Sequence, residues 1–230
     1  MAKRAEDGGI GMMGEHSLHA ALKAWYARPG DRLEEKVEGY LIDIVRDDLL
    51  IEIQTRSFSA VRKKLTALLA NHPVRLVHPI PREKWFAYLS EDGLTETGRR
   101  KSPQRLGLVH VFLELVHIPD LMRNPNLSIE VLVTREEEVR REAPRGLRRR
   151  RRTVKFDRRL ISVEGQRLYR SAADFRSFLP DHLEQPFTTR DLSEAIGEPL
   201  WLAEKITYCL RHVGAVREVG KRRNAILYAV

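Results

Sequence analysis

Residues 40–54 restrict the fold of this chain more than any other stretch. Tyr40-Leu41-Ile42-Asp43-Ile44-Val45 and Leu49-Leu50-Ile51-Glu52-Ile53-Gln54 flank Arg46-Asp47-Asp48. Both arms alternate with a period of two, as half-buried strands do, and the short link between them predicts a hairpin. A two-residue turn at Asp47-Asp48 sets Asp43 directly opposite Glu52 and Leu41 opposite Gln54. Ile42, Ile44, Ile51 and Ile53 then share one apolar face, while Val45 and Leu50 lie beside the acids on the other. Opposed carboxylates, with Cβ atoms ~5 Å apart, repel each other. A divalent cation compensates that repulsion. Magnesium, which takes oxygen ligands at ~2.1 Å and usually one or two protein carboxylates, suits the pair. The plainer alternative is a solvent-facing strand pair whose charges are screened.

The surrounding pattern places this hairpin in an α/β sheet. Residues 1–13 are small, polar and Gly-rich, and are expected to be flexible. A helix is predicted from Glu15 to Tyr26, with Leu18, Ala21, Leu22 and Trp25 on one face, ended by Pro29-Gly30. β-rich segments run from Arg32 to Thr55. Ser57 or Ser59 can cap a second helix with Val61, Leu65, Leu68 and Leu69 inward. That helix stops before Asn71-His72-Pro73, and Val74 to His78 reads as a further strand. Helix, strands, helix, strand is the order of a small sheet with helices packed on it.

Ile42-Asp43, a short gap and Glu52-Ile53-Gln54 resemble the motif of the PD-(D/E)XK restriction-endonuclease-like nucleases, with Ile in place of Pro and Gln54 in place of Lys. The element order of residues 14–80 also resembles that family's core. The resemblance implies metal-dependent hydrolysis of phosphodiester bonds, with no organic cofactor. Asp43 and Glu52, joined by Glu15 as an additional acid, would hold one or two Mg2+ ions, for which Mn2+ is the expected substitute. Glu15 can equally be read as a first-turn glutamate favoured by the helix dipole. Gln54 cannot act as a base, but it can orient a water by hydrogen bonding. Arg56, Arg62 or Lys63 would supply the missing positive charge, although Arg62 and Lys63 also fit an ordinary polar helix face.

Charge points to the partner. The chain carries 41 Lys+Arg against 32 Asp+Glu, a net of +9 at pH 7. Residues 99–170 hold 19 basic and 9 acidic side chains, so the whole excess falls there. Its peak is Arg145 with Arg148, Arg149, Arg150, Arg151, Arg152 and Lys155. Such a run is either a solvated linker or a phosphate-binding segment whose contacts release counterions. Its interior position between folded segments favours nucleic acid, with DNA as the expected form. In this middle segment Gly107–Leu121 reads as helix, Leu127–Thr134 as strand and Val154–Leu168 as extended chain. The segment either continues the first sheet or forms its own layer.

The end of the chain is more sharply punctuated. Ala172–Leu179 reads as a short helix. Thr188 and Asp191 have capping-box spacing, Gly197 closes that helix, and Pro199 opens another that runs to His212 before Gly214. Val216–Val219 and Ala225–Tyr228 flank a basic hairpin tip. Residues 171–230 resemble a winged helix-turn-helix domain, which implies a reading helix presenting Trp201, Lys205, Tyr208 and His212, and a wing bearing Lys221, Arg222 and Arg223. A winged domain also serves for protein contacts. The single cysteine, Cys209, excludes a disulfide framework and a Cys-based zinc site, and reads as packing. His110 and His117 are too far apart in sequence for a helical metal pair. No apolar run approaches the ~18 residues of a membrane span, and no signal-peptide core is visible, so no membrane is expected and the setting reads as cytoplasmic.

The expectation is therefore an α/β chain: a nuclease-like core at 14–98, an Arg-rich middle at 99–170 and a winged helix at 171–230. Its expected activity is magnesium-dependent cleavage of DNA, with a homodimer suited to cutting both strands. The alternative is a non-catalytic nucleic-acid-binding or regulatory protein with a degenerate nuclease-like core.

Overall fold

The computed structural model describes residues 16–143 and 153–230. Residues 1–13, Glu15, Arg145 and Arg148–Arg152 lie outside the described residues. A sheet runs in the order β1 (Arg32–Val37), β2 (Tyr40–Arg46), β3 (Leu49–Ile53), β4 (Val74–Leu89), β6 (Leu127–Glu142), β7 (Thr153–Tyr169), and β5 (Glu96–Lys101) pairs with β4. The helices are α1 (His16–Tyr26), α2 (Arg62–Leu68), α3 (Phe112–Leu115), α4 (Ala172–Arg176), α5 (Thr189–Ile196) and α6 (Leu200–Val213), and β8 (Arg217–Arg222) pairs with β9 (Ala225–Ala229). No helix among the described residues is long and apolar enough to cross a membrane.

The chain divides into two compact units. The larger comprises residues 27–80, 106–133 and 165–230. Within it β1, β2 and β3 form an antiparallel meander, with Ile44 opposite Ile51, Val45 opposite Leu50 and Arg46 opposite Leu49. Asp47 takes φ +51°, which lets the tight Asp47-Asp48 link match the twist of its strands although neither residue is glycine. Arg46 clamps the end of β2 by donating from Nε and Nη2 to the two Asp31 carboxylate oxygens, each at 2.8 Å. Asp31 also accepts the Arg28 N–H, and the Arg46 guanidinium holds its carboxyl below the ordinary range.

β3 joins β4 in parallel, with Glu52 beside Leu76 and Ile53 beside Val77. A parallel neighbour requires a crossover, and α2 supplies it. Ile42, Ile44, Ile51 and Ile53 are all buried, and so are Val45 and Leu50 on the opposite face. The sheet is therefore covered on both sides here. Val45, Leu50, Val74 and Leu76 belong to one core with Leu65 and Leu68 of α2, Phe112 and Leu115 around α3, and Ile206 and Leu210 of α6.

In place of one helix over Gly107–Leu121 there are a 3-10 turn (Leu108–Val111), the single turn of α3 and a second 3-10 turn (Leu121–Arg123). At the C-terminal end the caps act as the sequence suggests. Thr188 accepts the Asp191 N–H while Asp191 accepts the Thr188 N–H, and Gly197 and Gly214 close α5 and α6 with positive φ. Phe187 and Tyr228 exchange backbone hydrogen bonds at 2.9 and 2.8 Å, tying the approach to α5 to the last strand.

The smaller unit comprises residues up to Tyr26 with 81–105 and 134–164. Leu18, Leu22 and Tyr26 are the buried positions of α1, whereas Trp25 is 47% exposed. The inward stripe thus runs i, i+4, i+8, one residue later at its end than the periodicity suggested. β5 lies antiparallel on β4, with Trp85 opposite Lys101 and Phe86 opposite Arg100, and every β5 residue is exposed.

Candidate functional site

The hairpin register brings Asp43 and Glu52 to adjacent positions on neighbouring strands, because Ile44 pairs with Ile51 one step before them. Here the side chain takes over from the ladder. Asp43 Oδ2 accepts the backbone N–H of Ile53 at 2.8 Å. That bond aims the carboxylate across β3, on the side where Glu52 stands. Both acids are half-buried.

Lys64 completes the arrangement. Its Nζ donates to Glu52 Oε2 at 2.6 Å and to the Leu41 carbonyl, and the two side chains are only 16% and 13% exposed. The reason lies in the helix. Val61 just before α2 and Leu65 and Leu68 within it are buried on one face, and Lys64, three residues after Val61, reaches β2 and β3 from that face. An ammonium placed there offsets the repulsion of two nearby carboxylates. The cations named from the sequence as able to supply that charge lie elsewhere. Arg62 donates to both Asp120 oxygens at 2.8 and 2.9 Å and to the His117 carbonyl, Lys63 is exposed, and Arg56 is exposed beyond the end of β3. Lys64 is not among the residues singled out from the sequence; its signal there is a single charged residue on an otherwise apolar helix face.

Gln54 donates from Nε2 to the Ser57 carbonyl at 2.8 Å, closing the turn after β3. Its own carbonyl meets His78 Nδ1 at 2.6 Å. A carbonyl can only accept, so Nδ1 carries the proton in that contact. His78 is buried, with Phe58 edge-on to its ring at 5.0 Å, and Glu114 accepts the Phe58 N–H at 3.1 Å. This packing fixes the loop that follows Glu52. Glu34 was not singled out from the sequence. The pairs Leu33–Ile44 and Glu35–Ile42 bracket it and Asp43, and it holds φ +54° inside β1.

The donor set at this place is two carboxylates, hard oxygen ligands of the kind magnesium takes. Among the described residues no group of three or more His, Cys, Asp or Glu side chains is arranged to hold a metal.

The other expected binding residues are dispersed. Lys155 is exposed on β7, and Lys205 is half-buried on α6 between the exposed Trp201 and Tyr208. The His212 ring lies tilted against Tyr208 with centroids 4.4 Å apart. Lys221 and Arg223 are exposed on the β8–β9 hairpin, while Arg222 is engaged with Asp191 and Thr188 at the start of α5. Cys209 is buried, and burial pushes its thiol up to about 12, so it is packing and not a nucleophile.

A family model described as a domain of unknown function, DUF8091, matches residues 16–170. The chain belongs to this DUF8091 family. It is 29% identical over 181 residues to an uncharacterized protein of Treponema pallidum (strain Nichols), covering 78% of this chain and 72% of the relative. No solved structure matches the chain. The DUF8091 match takes in the whole Asp43–Glu52–Lys64 arrangement and ends just before α4.

Proposed function

We propose that this DUF8091 chain is a metal-dependent nuclease hydrolysing phosphodiester bonds of DNA, in the manner of the PD-(D/E)XK enzymes. The observation that carries the reading is the placing of Asp43, Glu52 and Lys64 at the end of the β2–β3 ladder, with Lys64 reaching Glu52 from α2. The order of one helix, three antiparallel strands, a crossover helix and a parallel strand supports it. Asp43 and Glu52 would hold Mg2+, with Mn2+ as substitute; when bound, the ion activates water and neutralises charge on the phosphate.

The protein groups have separable parts in this scheme. The Ile53 N–H fixes the direction of the Asp43 carboxylate. Lys64 holds Glu52 and would supply the positive charge that Gln54 lacks. Gln54 and His78 lock the loop after β3. The helix pair α5–α6 with the β8–β9 hairpin supports a winged-helix role in positioning substrate, through Trp201, Lys205, Tyr208 and the hairpin cations Lys221 and Arg223.

A second reading has two observations in its favour. Gln54 spends an amide N–H on the Ser57 carbonyl, and Lys64 already supplies a cation to Glu52. An acid pair satisfied in this way also suits a nucleic-acid-binding protein that does not cut. Incubation of labelled DNA and RNA duplexes, single strands and junctions with Mg2+ or Mn2+, beside Asp43→Ala, separates the two. Metal-dependent cutting lost in the variant supports the nuclease; binding by both proteins without cutting supports the second reading and ends the first.

A further inference from the structure

The smaller unit contains a cluster of three cations of which, among the described residues, two share one carboxylate and the third has none. Phe86 on β4 is buried, and three cations stand over its ring: Arg140 with its guanidinium carbon 4.3 Å from the ring centroid, Arg100 at 5.1 Å and the Lys84 ammonium at 5.5 Å. Each lies within cation–π range. Glu138 serves two of them, taking Lys84 Nζ at 2.5 Å and Arg140 at 2.7 Å. Burial opposes charge on Glu138, and the bonds from Lys84 and Arg140 overcome it, so its carboxyl lies below the ordinary range. Arg100 makes no ion pair with any described residue. Its Nε donates to the Tyr88 hydroxyl at 2.9 Å, and the residue is exposed.

The opposite face of the same hairpin behaves differently. Arg99 and Lys101 lie over Trp85, but Arg99 is paired with Glu137 at 2.7 Å and Lys101 with Glu83 at 2.9 Å, and Arg135 joins Glu83 and Glu164. That side is balanced, as an edge strand protected by charge would be. Three cations over one ring, two of them on a single carboxylate and the third on none, are not explained by edge protection.

We infer that the Lys84–Phe86–Arg100–Arg140 cluster is a docking surface for the phosphate backbone of a nucleic acid. The contact with the Phe86 ring and the bond to Tyr88 restrain the Arg100 guanidinium, so less side-chain freedom is lost when its remaining N–H groups meet a phosphate. A polyanion neutralises the local excess, and release of its counterions favours the complex. The cluster reads backbone and not sequence. Continuity of charge supports this occupant over a small anion: β6, which carries Arg140, leads directly into the chain segment bearing Arg145 and Arg148–Arg152. The inference rests on nucleic acid as the partner and is independent of cleavage.

The test is equilibrium binding of a labelled DNA duplex across a salt series, with Asp43→Ala as background and chelator present so that no cutting intervenes. Arg100→Ala and Arg140→Ala each weaken binding roughly tenfold at about 50 mM salt and lower the slope of log affinity against log salt by ~0.9. Arg99→Ala, on the charge-balanced face, leaves the slope unchanged, and Glu138→Gln tightens binding. Arg100 is exposed, so Arg100→Gln carries the test alone if circular dichroism shows that Arg140→Ala does not fold. Wild-type affinity and slope in the Arg100 variants overturn the inference, as does an absence of salt-sensitive binding by the parent protein. Cutting or its absence in the separate metal assay bears on the nuclease reading alone.

Discussion

Replacing Lys64 by methionine tests whether this side chain is what makes two half-buried carboxylates tolerable. Glu52 and Lys64 are 13% and 16% exposed and meet at 2.6 Å, so both have given up most of their hydration for each other. Breaking a buried pair by removing one partner costs about 3–5 kcal/mol, because the remaining charge stays desolvated. The residual exposure places Lys64→Met at the low end, about 3 kcal/mol. At ~2–4 °C per kcal/mol for a chain of this size, the melting temperature falls by roughly 6–12 °C. Glu52→Gln in the same background removes the stranded charge, so the double variant recovers about 2 kcal/mol relative to additivity. Thermal and urea unfolding of the four proteins in chelator gives the cycle. Magnesium should then stabilise Lys64→Met more than the parent, since it takes over neutralisation of Glu52 and Asp43. Additive single variants, each costing less than about 0.5 kcal/mol, would refute the reasoning.

Three further outcomes follow from the same structure. The Asp31 carboxyl is held below its ordinary range by Arg46, so Asp31→Asn is less stable than the parent at neutral pH; the difference persists above the unfolded carboxylate range and vanishes as pH falls through the folded value, and a difference that does not change with pH would show that the pair contributes nothing. Cys209 should resist a thiol reagent in the native protein at pH 8 and react fully in denaturant; rapid native labelling would contradict its burial. Thr188→Ala removes the cap of α5 and a contact of Arg222, costing about 1 kcal/mol in urea unfolding, and an unchanged midpoint would show that the capping box is idle.

The hairpin was legible because strict alternation leaves little choice of register: one slip would turn Ile42, Ile44, Ile51 and Ile53 to the other face. The caps at Thr188, Gly197 and Gly214 were legible for a similar reason, each being a local signal with a local partner. β4 was less so. Pro79 and Pro81 suggest an end at His78, since proline supplies no N–H to a ladder, yet the strand continues to Leu89. Trp25 and Tyr26 show the limit of helical periodicity near a helix end, where one residue decides which ring is buried. Lys64 was not legible because a cation is expected on a polar helix face, while the one beside Glu52 sits within the apolar stripe of α2. The Phe86 cluster escaped for want of long-range information: Arg100 and Arg140 are far apart in the chain and meet only through β4.

Calorimetric titration of Mg2+ into the parent protein, Asp43→Asn and Glu52→Gln addresses the proposed site most directly. The account predicts saturable binding by the parent and its loss in both variants, with folding retained by circular dichroism. Undiminished binding in the two variants, or no binding by the parent, would contradict it.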